Sequence, residues 1–306
     1  MTATASTTPS RSARPTPPSR RIAAVAALAV VALILWAALT LEIDLEKLLR
    51  LPEGLGLIFY RMFLEEGVEW DFLPGAIEGM LQSLQIAWIG TIIGAVISLP
   101  LGLLGARNVS GIIGSNVMRQ ILNAIRAVPE VILAVVVFIP MVGIGGAASA
   151  YAGTLAIGLH SVGTLGKLTA EVVEGIDLGP VEAARAAGGN SLQVQRWGVI
   201  PQVMPEVIAF WLYRFEINIR ASAILGVVGA GGIGASLQQA MVFGRFPRAG
   251  LIIIVIIVAT ILVDAASGWL RRRIIEGSGG ARLSGQEFEE PDFAASGAGR
   301  VDTDAG

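Results

Sequence analysis

Runs of about twenty apolar residues decide what this chain can become. Ile22–Leu41 contains no charged side chain and, at about 1.5 Å per helical residue, reaches across about 30 Å of hydrocarbon. Lipid offers no partner to a backbone amide, so a run of this kind must satisfy its own hydrogen bonds as a helix. Further apolar runs occupy Ser83–Leu104, Val131–Val142 with its flanks, Ser149–Leu165, Val207–Val228 and Ala249–Leu270. The pattern predicts an all-α, polytopic membrane protein of about six transmembrane helices. Pro129, Pro140 and the glycines of MVGIGG interrupt the third and fourth spans, which neighbouring helices compensate by re-satisfying the freed backbone.

Composition agrees. The chain is 54% hydrophobic and 15% charged, with a mean hydropathy of +0.69, too apolar for an ordinary soluble domain. A formal net charge of −2 provides no basic footprint for nucleic acid. There is no Cys and one His, which excludes disulfides, thiolate zinc sites, Cys nucleophiles and multi-His metal centres. No catalytic residue, metal ligand or cofactor of its own is expected.

The organisation follows in order. Residues 1–21, rich in Ser, Thr, Pro and Arg, are expected to be a disordered cytoplasmic tail. Residues 22–41 form the first, uncleaved span, because TLEIDLE lacks a small-x-small exit. Residues 42–76, with the Leu45, Leu48, Leu49 spacing, suggest an external interfacial helix. Residues 77–274 form the core, with a cytoplasmic loop at about 166–204, and 275–306 form an acidic, disordered cytoplasmic tail. Lys and Arg support this orientation. Inside segments hold the N-terminal arginines, Arg107, Arg119, Arg126, Lys167, Arg185, Arg196 and Arg271 to Arg273; outside segments hold only Lys47, Arg50, Arg61, Arg245 and Arg248. Both termini are thereby placed inside.

One cytoplasmic stretch is built unlike lipid-facing sequence. Gly179–Pro201 reads GPVEAARAAGGNSLQVQRWGVIP. Pro180 starts a helix, Glu182 complements the dipole of its first turn, and Gly188 with Gly189 stops it. Asn190 with Gln193 three residues on predicts a capping box for a second short helix, through Arg196 or Trp197, with Pro201 marking its exit. The bland reading is a solvent-exposed hairpin between spans. The functional reading is a rigid helix-turn-helix knob.

Glu182-Ala183-Ala184, three residues, Gly188, nine residues, then Gly198-Val199-Ile200-Pro201 resembles the EAA signature of ABC importer membrane subunits, E-A-A-x3-G-x9-I-x-L-P. The chain departs at Gly198, where that family has Ile, a change expected to loosen packing there. The flanks LQSLQIAWIGTIIGAVISLPLGLLGARN, IRAVPEVILAVVV, LAIGLHSVGTLGKLTAEVVEGID and WLYRFEINIRASAILGVVGAGGIG, over about Gly79 to Ile274, are similar to permeases of phosphonate importers. The resemblance implies a type I ABC importer permease-like fold in the cell inner membrane. It implies that Glu182, Ala183, Ala184, Gly188, Gly189 and Pro201 belong to a coupling helix docking on an ABC ATPase. The other implied partners are a second ATPase subunit, a second permease copy forming a homodimer, and a periplasmic or lipid-anchored phosphonate-binding protein. ATP would be bound by the partner, since the chain lacks G-x-x-x-x-G-K-[ST].

Charged residues at membrane depth are costly and mark a pathway or a buried pair. Arg214, Glu216, Asn218 and Arg220 form the main set. Helical spacing pairs Glu216 with Arg220 and leaves Arg214 on the side of Asn218, where a spare guanidinium facing an aqueous path would bind phosphonate oxygens bidentately. The alternative is structural pairing with Arg126 or Glu130, or a contact at a dimer axis. His160 is likewise either a helix-helix hydrogen-bond partner or part of the path. Asp264 receives no role. Gly229–Gly234 satisfies G-x-G-x-x-G but follows a span and lacks the acid about twenty residues on; it reads as a flexible external turn for close approach between subunits. Methionine or quaternary-amine import by the same architecture, and ATP-independent secondary transport, are the rival functions.

Overall fold

The computed structural model describes residues 20–40, 45–142 and 146–279, and among them every regular element is a helix. The chain forms two units, Met1–Phe59 and Tyr60–Gly306. In the first, helix α1 (Arg20–Thr40) exposes its large side chains from Val25 to Leu39, as suits a helix whose solvent is lipid. Helix α2 (Leu45–Phe63) begins there, carries Pro52 and is tied on its surface by Glu46 and Arg50 at 2.6 Å. Residues 1–19 and 280–306, most of the tails predicted at 1–21 and 275–306, lie outside the described residues.

Among the described residues the second unit contains the end of α2, one 3-10 turn at Trp70–Phe72, a π-helical turn at Gln195–Val199 and nine further helices. These are α3 (Leu73–Gly105), α4 (Arg107–Ala127), α5 (Glu130–Val142), α6 (Gly146–Glu174), α7 (Gly179–Ala186), α8 (Ser191–Val194), α9 (Ile200–Val227), α10 (Ile233–Val242) and α11 (Phe246–Gly279). Helix α11 continues five residues into the predicted tail, so residues 275–279 are helical.

Among the described residues, Trp70–Gly105 and Phe246–Ile274 are long and apolar enough to cross a membrane by themselves. Helices α4 and α5, bent by 72° at their break, make a third crossing if the bent pair is one span. The break falls at Pro129, which has no amide to donate and pushes Val128 into an extended conformation (φ −86°, ψ 118°). Helices α6 and α9, at 29 and 28 residues, have the length but not the hydropathy. They bury Ser161, Thr169, Arg214, Glu216, Asn218 and Ser222. Polar groups at depth belong on protein-facing surfaces, and that is where these helices carry them.

The core is a crossing of α3 and α6. Gly90, Gly94, Ser98 and Gly102 recur every four residues, all buried on one face of α3. A Cβ on Gly94 would lie 2.5 Å from Ser161 Cβ, and one on Gly102 2.6 Å from Thr169 Cβ. Lipid provides no hydrophobic drive between helices, so small residues that admit close backbone approach supply the packing. Buried side chains then continue to both ends. Leu103, Ala106, Val173, Val181, Val194, Val199 and Val203 cluster at one, and Met62, Met80, Ile219, Ile233 and Ile252 at the other.

The glycine-rich turn after α9 differs from the expectation. Gly229, Gly231 and Gly232 have positive φ, yet the turn is pinned to its own chain. The Gly232 amide donates to Gln82 Oε1 (3.0 Å) and the Ile233 amide to Ser83 Oγ (2.9 Å). A Cβ on Gly234 would meet the Ala223 carbonyl oxygen at 1.8 Å. The close approach that the turn makes in this chain is between α9 and α10.

Candidate functional site

The knob is built by local chemistry. Asp177 Oδ1 accepts from the Gly179 amide at 2.9 Å, and Pro180 sits in the first turn of α7. Gly188 takes φ +81° just past the helix end, where its amide donates to the Arg185 carbonyl (2.9 Å), a left-handed stop that suits glycine. Gly189 is needed for space: a Cβ there would lie 2.8 Å from the Ala184 carbonyl oxygen. The predicted capping box is present, with the Gln193 amide donating to Asn190 Oδ1 (2.9 Å) and the Asn190 amide to Gln193 Oε1 (2.8 Å).

Two expectations about the knob are corrected. Pro201 does not mark an exit. Helix α8 runs through a π-helical turn, Gln195–Val199, into α9, where Pro201 occupies the first turn and its missing amide costs nothing. Nor does Gly198 loosen packing: it is buried, and a Cβ on it would lie 3.0 Å from Val181 Cα and 3.3 Å from the Pro180 carbonyl oxygen. Glycine lets the second helix of the knob close onto the first.

Val181, Val194 and Val199 face inward and pack with Leu103, Ala106 and Val173. The outer surface presents Glu182, Ala183 and Arg185, with Leu192 77% and Trp197 69% exposed. The base is clamped by Glu174, which sequence reasoning missed. It accepts from the Arg107 amide (2.7 Å) and pairs with Arg119 (2.6 Å). Asn108 Nδ2 donates to the Val173 carbonyl (2.6 Å). These bonds join the end of α6 to α4, and the Val181, Val194 and Val199 cluster packs the knob against the same corner. The signal in sequence was only a carboxylate at a helix end, with partners about 55 to 67 residues away, and no periodicity exposes such a contact.

The charged residues of α9 form different pairs from those expected. Glu216 does not pair with Arg220. It is hydrogen-bonded by Arg271 of α11, while Arg220 reaches Asp264 at 3.3 Å. Both acids select cations across the α9–α11 interface, and Asp264 thereby gains a partner. Arg214 is 7% exposed, and its Nε donates to Ser161 Oγ at 3.0 Å. Asn218 Nδ2 donates to the same oxygen (3.1 Å) and to Thr91 Oγ1 (2.8 Å). Arg214 and Asn218 thus share a face and tie α3, α6 and α9 together. The Arg214 side chain is buried against Ser161, which offers it an acceptor at the tight α3–α6 crossing.

His160 and Glu130 are brought together, with Nε2 3.4 Å from Glu130 Oε2. Nδ1 lies 3.1 Å from the Val128 carbonyl oxygen, a group left without a helical donor by the break at Pro129. Arg126 is exposed one turn earlier on α4. It lines an open cleft of about 500 Å³ with Asn123, Ala127, His160, Thr164 and Lys167. Among the described residues no cluster of His, Asp and Glu fits a metal ion.

Comparison with known proteins places this architecture. Residues 98–276 match the family described as binding-protein-dependent transport system inner membrane component. The chain is 43% identical over 199 residues to the phosphite transport system permease protein PtxC of Stutzerimonas stutzeri, covering 64% of this chain and 70% of the relative. It is also 43% identical over 195 residues to the phosphate-import permease protein PhnE of Mycolicibacterium smegmatis, covering 63% of this chain and 36% of that longer relative. In fold it is similar to the MetNI methionine ABC transporter in inward-facing conformations. That match has a TM-score of 0.55 and 22% identity, and covers 65% of this chain and 95% of that one. The family match embraces more than half of the chain, including the knob and both polar helices, and the chain belongs to the binding-protein-dependent transport system inner membrane components.

Proposed function

We propose that this chain is the membrane-spanning subunit of an ATP-driven importer for a phosphorus oxyanion, of the phosphonate, phosphite or phosphate class. The observation that carries the reading is the knob. It is a capped, self-packed pair of helices with an exposed Glu182 edge, Leu192 and Trp197, continuous at its base with α9. A rigid protrusion of this kind serves a protein partner, and an ABC ATPase is the partner that the EAA spacing implies. The substrate class is supported by 43% identity to permeases named for phosphite and phosphate import, against 30% or less for those named for methionine transport.

In this reading two copies of the chain, both termini cytoplasmic, engage two ATPase subunits through Gly179–Pro201. An external or lipid-anchored binding protein delivers the anion. ATP-driven closure of the ATPases draws the two knobs together. Because Val181, Val194 and Val199 pack the knob onto Leu103, Ala106 and Val173, and Glu174 ties the end of α6 to α4, that motion passes to the spans and shifts the population between outward-open and inward-open states. ATP is bound by the partner, and the permease supplies the path and the lever.

The test is uptake into proteoliposomes holding this chain, its ATPase and its binding protein. Labelled methylphosphonate is competed by phosphate, phosphite, methionine and betaine. ATP-dependent uptake blocked only by phosphorus oxyanions is the expected result. Block by methionine or betaine would overturn the substrate class, and uptake indifferent to ATP would overturn the importer.

A further inference from the structure

We propose that the cleft lined by Asn123, Arg126, His160, Thr164 and Lys167 binds a phosphorus oxyanion. The inference rests on the importer reading above and names a site within it. Its geometry comes from the α4–α6 crossing. A Cβ on Gly163 would lie 2.8 Å from both the Arg126 amide nitrogen and the Leu122 carbonyl oxygen, and one on Gly166 2.7 Å from Leu122 Cδ2. With the two backbones so close, two stripes meet. Asn123, Arg126 and Ala127 form one face of α4, and His160, Thr164 and Lys167, spaced by four and three residues, form one face of α6. Between them lies a void of about 500 Å³, ample for a tetrahedral anion.

The lining chemistry points to an anion. A guanidinium, an ammonium, an amide, a hydroxyl and an imidazole surround the void, and no carboxylate lines it. Arg126 makes no hydrogen bond or ion pair with any described residue, leaving its planar fork of donors for two oxygens of one ligand. Lys167 Nζ lies 3.7 Å from Glu171, an exposed pair one turn apart on α6, which an incoming anion displaces at little cost. The carboxylate of Glu130 lies 3.4 Å from His160 Nε2 and is not part of the lining.

A phosphate group reaches such a cleft from two sources, the transported solute or the headgroup of a membrane lipid, and the experiment separates them. Wild type, Arg126→Gln, Lys167→Gln, the conservative Lys167→Arg and the distant control Arg272→Gln are each reconstituted in the complete transporter. Uptake of labelled methylphosphonate is measured against concentration, and tightly held phospholipid is quantified on the detergent-purified complexes. Basal ATP hydrolysis without solute reports assembly.

A solute site predicts that Arg126→Gln and Lys167→Gln each reduce uptake at low substrate by about tenfold or more, the scale of one charge-assisted hydrogen bond. Basal hydrolysis stays intact, and Lys167→Arg and Arg272→Gln stay near wild type. A headgroup site predicts retained phospholipid lost from the same two variants with uptake preserved in excess lipid. Neither change in either variant overturns the proposal. Should wild type itself move methionine or betaine instead of methylphosphonate, the importer's substrate class falls, and the retained-phospholipid measurement alone decides the cleft.

Discussion

Gly94→Ala is the perturbation from which the most follows. The added Cβ would sit 2.5 Å from Ser161 Cβ, with the Gly158 carbonyl oxygen 3.3 Å away. Ordinary contact begins near 3.4 Å, so α3 and α6 must part by about 1 Å, and overpacking of that order costs about 1–3 kcal/mol. The displacement also carries Ser161 Oγ away from Arg214 Nε at 3.0 Å and Asn218 Nδ2 at 3.1 Å. Buried donors left unsatisfied cost a further ~1–3 kcal/mol. The expected total is about 2–6 kcal/mol. Ser161→Ala isolates the second contribution and should cost about 1–3 kcal/mol. Gly268→Ala, whose Cβ would meet nothing within 4 Å, is the neutral control. The assay is equilibrium unfolding of the purified permease in detergent, followed by ATP-dependent uptake. Gly94→Ala as stable as Gly268→Ala would refute the claim that the small-residue crossing holds the polar seam together.

Asn190→Ala removes one half of the reciprocal cap at 2.9 Å and should destabilise the second knob helix by about 1 kcal/mol. Faster proteolysis within residues 188–197 and weaker coupling of hydrolysis to uptake are expected, while unfolding of the spans stays unchanged. On the other side of the unit, the hydrogen bond from Arg248 holds the Glu69 carboxyl below its ordinary value of 4.5. A depressed folded pKa contributes stability that is complete above the unfolded value and is lost as pH falls through the folded one. Thermal midpoints of wild type should therefore drop towards those of Glu69→Gln as pH falls below 4.5, and identical profiles for the two proteins would contradict the pairing.

Local features were legible in the chain itself. The apolar runs, the Pro180 start, the Gly188 stop and the Asn190 and Gln193 box depend on neighbours within four residues, where helical geometry fixes who meets whom. The family signature was legible for the same reason, since the knob is specified by spacing.

Tertiary structure decided the partners. Glu216 and Arg220 are four apart and read as a pair, yet each found an opposite charge on α11, 55 and 44 residues away. An i,i+4 pair is worth only a few tenths of a kcal/mol, too little to fix the partners once α11 packs beside α9. Arg214 read as spare because Ser161 is invisible from α9. Gly198 read as a loss of packing because only the folded knob brings Val181 against it. Local hydrogen bonding wrote the knob into the sequence, and the destinations of Arg214 and Glu216 were set by which helices pack against α9.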